Sequence, residues 1–107
     1  MNRDVFFQNW DAAVAQYVEA LREARATDRT LKQRFAQSYQ THKASGLGVE
    51  DAKQSVFLDS DYQAAWAAAD AAGIEEKAAR LALAALQLRF EVWRTETSYK
   101  KAEMQLH

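Results

Sequence analysis

Two interleaved heptad rows run through the first part of the chain. One passes through Phe7, Val14, Leu21, Asp28, Phe35 and His42; the other, three residues on, passes through Trp10, Tyr17, Ala24, Leu31 and Ser38. The rows hold their phase from Asp4 to about Lys43, which predicts one helix roughly 55 to 60 Å long. That is far above the usual length of about 11 to 12 residues, so the pattern points to a coiled-coil-like hairpin or bundle. Asp28 stands in a core-facing position, and Thr27 or Asp28 could cap a new helix, so a break at Thr27-Asp28-Arg29 is the alternative. The unbroken register favours the continuous helix.

The first helix is expected to end at Ala44-Ser45-Gly46-Leu47-Gly48. Gly46 can take the left-handed C-terminal conformation and Leu47 can fold back onto the last turn. Val49 to Val56 predicts a short connecting helix, with Glu50 and Asp51 where the dipole favours negative charge and with Phe57 and Leu58 docking its end on the core. Ser60 and Gln63 have the spacing of a capping box for the next helix, in which Tyr62, Ala65, Trp66 and Ala69 share a face. Gly73 is either tolerated inside a helix or ends one. The acidic residues of Ile74-Glu75-Glu76-Lys77 favour a turn, giving helices at about 60–72 and 74–105, with one continuous helix the alternative that the sequence leaves open.

From Ile74 to Tyr99 both sides of the expected helix are apolar. Leu81, Leu88 and Val92 fall on one side, and Leu83, Leu86, Phe90 and Trp93 lie nearly opposite. Only a ridge through Glu76, Arg80, Gln87 and Arg94 is suited to water, so this helix is expected to be central and covered from two directions. The simplest packing sets one face against the seam of the first helix, with the Tyr62 to Ala72 helix laid across them. The face of Leu83, Leu86, Phe90 and Trp93 is then left for a homodimer or a protein partner. Glu96 and Lys100 are spaced for a pair one turn apart.

Composition agrees with this pattern. The absence of proline and the presence of only three glycines leave few places that force the backbone out of a helix. Good helix formers dominate, valine and isoleucine are scarce, and the expected fold class is all-α: a long helical hairpin or bundle with a short connecting helix, forming one domain over 1–107 and expected to dimerise. The segment from Met1 to Trp10 lacks the apolar run of a signal peptide. Arg80, Gln87 and Arg89 interrupt the alanine-rich stretch well before the ~18 residues of a membrane span. Together with the absence of cysteine, this sets the expectation of a soluble protein of the cytoplasm, with no membrane partner. A net charge of −1 supplies no whole-protein field for polyanions.

The motifs of catalysis are absent. The two histidines, His42 and His107, stand apart, and neither has the carboxylate spacing of a metal site; Ser45-Gly46-Leu47-Gly48 lacks the lysine of a phosphate loop. Glu50, Asp51, Asp59 and Asp61 lack the order of a calcium loop and suit helix starts. The expectation is a protein that is no enzyme, with no cofactor, no metal and no small-molecule substrate. Two surfaces remain. Leu83, Leu86, Phe90, Trp93 and Arg94 form a candidate protein interface, with Trp93 and Arg94 of the types interfaces favour. Arg22, Arg25, Arg29 and Lys32 make one stripe that could track phosphates, against which stands the reading of a solvated face neutralised by Glu19, Glu23 and Asp28.

The run Phe90-Glu91-Val92-Trp93-Arg94-Thr95-Glu96-Thr97-Ser98-Tyr99-Lys100-Lys101-Ala102-Glu103-Met104 resembles the C-terminal helix of small all-helical accessory proteins encoded by tailed phages and prophages. The resemblance implies a short protein in the host cytoplasm that acts by binding host machinery, defence proteins or phage replication and recombination factors. It transfers no site residues. Tyr99-Lys100-Lys101-Ala102-Glu103 is also similar to the Tyr-x-x-x-Asp/Glu tail of small helical-hairpin proteins exported by type VII secretion, whose Trp-x-Gly turn is replaced here by Ser45-Gly46-Leu47-Gly48. The leading expectation is therefore a non-enzymatic protein-protein interaction module, an accessory or inhibitor protein. The alternatives are a nucleic-acid-binding accessory protein using the basic stripe and a structural virion component. For the stripe the check is salt: DNA or RNA affinity carried by it falls steeply from low to moderate ionic strength and is abolished by charge reversal at Arg25 and Arg29.

Overall fold

A computed structural model describes residues 2–106 and contains three helices: α1 (Arg3–Ala44), α2 (Val49–Val56) and α3 (Ser60–Leu106). The fold is all-α, a long helical hairpin with a short connecting helix. α1 is continuous through Thr27-Asp28-Arg29, as the register favours. Asn2 starts it by a route the sequence reading missed: its Oδ1 accepts the amides of Asp4 at 2.9 Å and Val5 at 3.3 Å, satisfying donors that have no partner inside the helix.

The end of α1 is built as its sequence indicates. Gly46 has φ of +100°, the Gly46 amide donates to the Lys43 carbonyl at 3.0 Å and the Leu47 amide donates to the His42 carbonyl at 3.4 Å. This pair of bonds is the Schellman arrangement, and it leaves Leu47 half-buried against the turn it closes. α2 starts at Gly48, whose carbonyl accepts the Ala52 amide at 2.8 Å. Ala52 and Val56, one turn apart, are fully buried and anchor α2. Val56 takes the docking role expected of Leu58, which is 79% exposed, because the turn after Val56 points Leu58 to solvent.

The expected turn at Gly73 does not form. α3 is one helix of 47 residues, because its flanking turns carry alanine and other strong helix formers and absorb the ~1 kcal/mol that an internal glycine costs. There is thus no separate helix laid across the other two. The capping box is displaced as well. Asp59, not Ser60, is the last residue before α3, its carbonyl accepting the Gln63 amide at 3.0 Å, while the Gln63 side-chain amide donates past the box to the Phe57 carbonyl at 3.0 Å.

Residues pack into two compact units. In the unit formed by Ala20–Glu76, the second half of α1 meets α2 and the start of α3. Phe35 lies against Phe57 and Tyr62 with ring centroids 6.1 and 6.0 Å apart, and Ala52, Val56, Ala65 and Ala72 are buried. In the unit formed by residues up to Glu19 together with those from Lys77 onward, the start of α1 meets the later turns of α3. Phe6 stacks on Phe90 at 4.9 Å and only 6% of it is exposed.

The α1 seam keeps Trp10, Val14, Tyr17, Leu21, Ala24, Leu31, Phe35, Ser38 and His42 half-buried, with two exceptions. Phe6 replaces Phe7, and Thr27 replaces Asp28, which is exposed. An α-helix drifts by ~20° per heptad against a strict seven-residue repeat, so over five heptads the facing position slips by about one residue. Thr27 adapts to its half-buried place by donating its hydroxyl to the carbonyls of Glu23 and Ala24 at 2.9 and 3.1 Å.

Two substitutions test the backbone account. A Cβ at Gly73 meets nothing within 4 Å and the helix needs no special φ there, so Gly73→Ala raises stability by about 0.5–1 kcal/mol in urea unfolding. At Gly46 the space is equally open but φ is positive, so Gly46→Ala lowers stability by roughly 1–2 kcal/mol.

Candidate interaction surfaces

The buried face of α3 is a strict heptad seam. Tyr62, Ala65, Ala69 and Ala72 line it within the Ala20–Glu76 unit, followed by Glu76, which is half-buried. In the other unit Ala79, Leu83, Leu86, Phe90 and Trp93 continue the same spacing. Trp66, expected on this face, is more than half exposed, and Glu76, expected on the solvent ridge, is half-buried. Small side chains let the helices approach closely, so the alanines are what the larger residues of α1 pack upon.

This reverses the expected roles of the two faces between Ile74 and Tyr99. Leu83, Leu86, Phe90 and Trp93, read as a candidate protein interface, are half-buried inside the chain: Phe90 stacks on Phe6 and lies 5.8 Å from Trp93. Arg94 is exposed at the rim of a shallow groove with Phe7, Trp10, Gln87 and Glu91. The opposite face is the open one, with Leu81 67%, Leu88 63% and Val92 56% exposed. α3 is therefore covered from one direction, not two. Hydrophobicity alone could not tell the faces apart; the phase of Tyr62, Ala65, Ala69 and Ala72, carried unbroken through Gly73, would have done so.

Arg22, Arg25, Arg29 and Lys32 are all exposed on α1. Lys32 is engaged by Asp28 at 3.0 Å, one turn away, so part of the stripe's charge is neutralised on its own helix. The placement of Asp28 outside the seam is what makes this pair available.

A polar cluster that the sequence reading missed joins the end of α1 to the start of α3. The Asp59 carboxylate accepts the Ser38 hydroxyl and the His42 Nε2–H, the latter at 3.0 Å to Oδ2 and 3.3 Å to Oδ1. Ser38 and His42 are one helical turn apart, so both reach the same carboxylate from one face of α1. The hydrogen bond from Ser38 and then that from His42 hold the Asp59 pKa below its ordinary value of 3.8. The residue types are those of a hydrolytic triad, but the order is different. In a triad the imidazole lies between hydroxyl and carboxylate and takes the hydroxyl proton. Here the carboxylate lies between the other two, and the hydroxyl points at it. The arrangement holds a helix end; it does not prepare a nucleophile. Around it a shallow depression is bordered by Arg34, Gln37, Thr41 and Asp61.

Among the described residues no group of three or more histidine, cysteine, aspartate or glutamate side chains is placed to hold a metal ion, and no helix is long and apolar enough to cross a membrane. His107 lies outside the described residues.

The Asp59 cluster makes stability depend on pH. A carboxylate whose folded pKa is lowered contributes fully above its unfolded value and loses that contribution as pH falls through the lowered one. Asp59→Asn is therefore destabilising above the ordinary value of 3.8, and its urea midpoint converges on that of the unsubstituted protein as the solution is acidified below it. A gap that persists unchanged in acid contradicts this role.

No family model matches the chain, and no curated protein or solved structure matches it significantly.

Proposed function

We propose that the protein is a non-enzymatic interaction module whose binding surface is the exposed apolar face of α3 through Leu81, Leu88 and Val92. The observation that carries this reading is a second heptad row on α3, nearly opposite the buried one. Ile74, Ala78, Leu81, Ala85, Leu88 and Val92 recur at alternating spacings of four and three, and every one of them is exposed. Scattered exposed leucines are ordinary on a protein surface, but a continuous apolar stripe of coiled-coil spacing is what one helix presents to another.

The accessible surface supports the same reading. The 12.1 kDa chain exposes 8249 Å², against roughly 6,000 Å² for a compact monomer of that mass. The excess, on the order of 2,000 Å² for one chain, is more than the ~800 Å² that one partner of a standard interface buries. Function on this reading is occupancy: the module acts by covering, and being covered by, another helix. On this reading the interface is the row opposite Leu83, Leu86, Phe90 and Trp93, which pack inside the chain.

Two substitutions one half-turn apart separate the faces. At concentrations where the chain is monomeric, Leu88→Glu leaves unfolding stability within about 0.5 kcal/mol, because the side chain already stands in water. Leu86→Glu costs about 3 kcal/mol or more by forcing a charge into the packed seam. Helicity by circular dichroism with urea titration measures both. Equal losses for the two variants overturn the assignment of the Leu88 face as a free binding surface.

A further inference from the structure

Resting on that reading of the α3 face, we propose that its occupant is the same face of a second copy of this chain, antiparallel, with the two-fold axis level with Leu83. The pattern of sizes points to this partner. Along the exposed row alanine and a large residue alternate: Ala78, Leu81, Ala85, Leu88. An antiparallel two-fold sets each residue against the one equally far beyond the axis. Leu81 then falls on the partner's Ala85, Ala78 on the partner's Leu88, and Ile74 on the partner's Val92. Every layer sets large against small or joins two β-branched side chains, so no layer is overfilled and none is empty.

The flanking charges select the same register. The flanking rows cross the axis at their own residues, Ala84 on one side and Ala82 on the other, so Lys77 and the partner's Glu91 lie one heptad to either side of Ala84 and meet, and Glu75 and the partner's Arg89 lie one heptad to either side of Ala82 and meet; symmetry makes each pair twice. All four side chains are exposed. Ala84 and Ala82, also exposed, lie beside the axis opposite their own copies, where small side chains permit close approach. Alternatives place like charges together. A parallel pairing sets Asp70 against the partner's Glu75 and Glu91 against the partner's Glu96, and it leaves Ala78 facing its own copy across a void. Sliding the antiparallel pair by one heptad sets Asp70 against the partner's Glu91 in one direction and Glu75 against the partner's Glu96 in the other. The electrostatic pattern thus chooses direction and register, while the apolar layers supply affinity.

Charge exchange and cross-linking test the proposal on the full chain. In sedimentation equilibrium the protein is a dimer at micromolar concentration. Lys77→Glu or Glu91→Lys alone weakens the dimer about tenfold by putting like charges together at two places, and Lys77→Glu combined with Glu91→Lys restores it. Because the chain has no cysteine, single replacements report geometry: Ala84→Cys forms a disulfide-linked dimer under oxidation and Ala78→Cys does not. Cross-linking through Ala78→Cys but not Ala84→Cys, or failure of the double exchange to restore the dimer, overturns the proposed register. A strictly monomeric protein overturns self-pairing altogether, and does so without touching the Leu88→Glu and Leu86→Glu comparison on which the interaction reading stands.

Discussion

One helix carries two apolar seams, and the chain supplies one long helix to cover them. α3 presents Ala79, Leu83, Leu86, Phe90 and Trp93 on one side and Ala78, Leu81, Ala85, Leu88 and Val92 on the other, and α1 reaches only the first. The rest of the molecule follows from that imbalance. The core is made of small residues and of Phe6 stacked on Phe90, and among the described residues Val56 is the largest side chain fully removed from water.

What fixes the pairing of α1 with α3 is chemistry at the closed end. Gly46 and Leu47 finish α1 with a defined turn, Ala52 and Val56 seat the connecting helix, and Asp59, the residue before α3, accepts hydrogen bonds from Ser38 and His42 of α1. Alanine-rich seams are permissive, because one alanine packs much like the next and a slip by a heptad costs little contact. Directional polar bonds at one end do not tolerate a slip. Within the Ala20–Glu76 unit they specify a register that the seam by itself leaves open; in the other unit Phe6 stacks on Phe90 where the start of α1 meets α3.

Local rules were legible wherever one residue dominates a local choice. The left-handed turn at Gly46, the fold-back of Leu47 and the short helix from Val49 are all of this kind, while the continuity of α1 through Asp28 was legible from the unbroken heptad register. Non-local choices were not. Gly73 could end a helix or ride inside one, and placing a turn there severed the phase that links Tyr62, Ala65 and Ala69 to Leu83 and Phe90. With a turn at Gly73, two faces of equal apolarity cannot be ranked; with the phase unbroken, Leu83, Leu86, Phe90 and Trp93 pack inside the chain. Asp59 was hidden for a similar reason: a helix-start aspartate usually bonds its own backbone, and only the return of the chain brings Ser38 and His42 to it. The slip from Phe7 to Phe6 was legible in principle from the mismatch between 3.6 and 3.5 residues per turn.

On the proposed reading the leucines of α3 divide the labour, one row holding the chain together and the other joining it to a second copy. Thiol labelling rates separate these roles directly, since the chain carries no cysteine of its own. Leu86→Cys and Leu88→Cys variants are labelled with a maleimide over a range of protein concentrations. The account predicts slow labelling at position 86 at every concentration, and labelling at position 88 that is fast when dilute and slows as concentration rises. Protection at position 88 that is already complete at high dilution, or equal and concentration-independent rates at both positions, would contradict it.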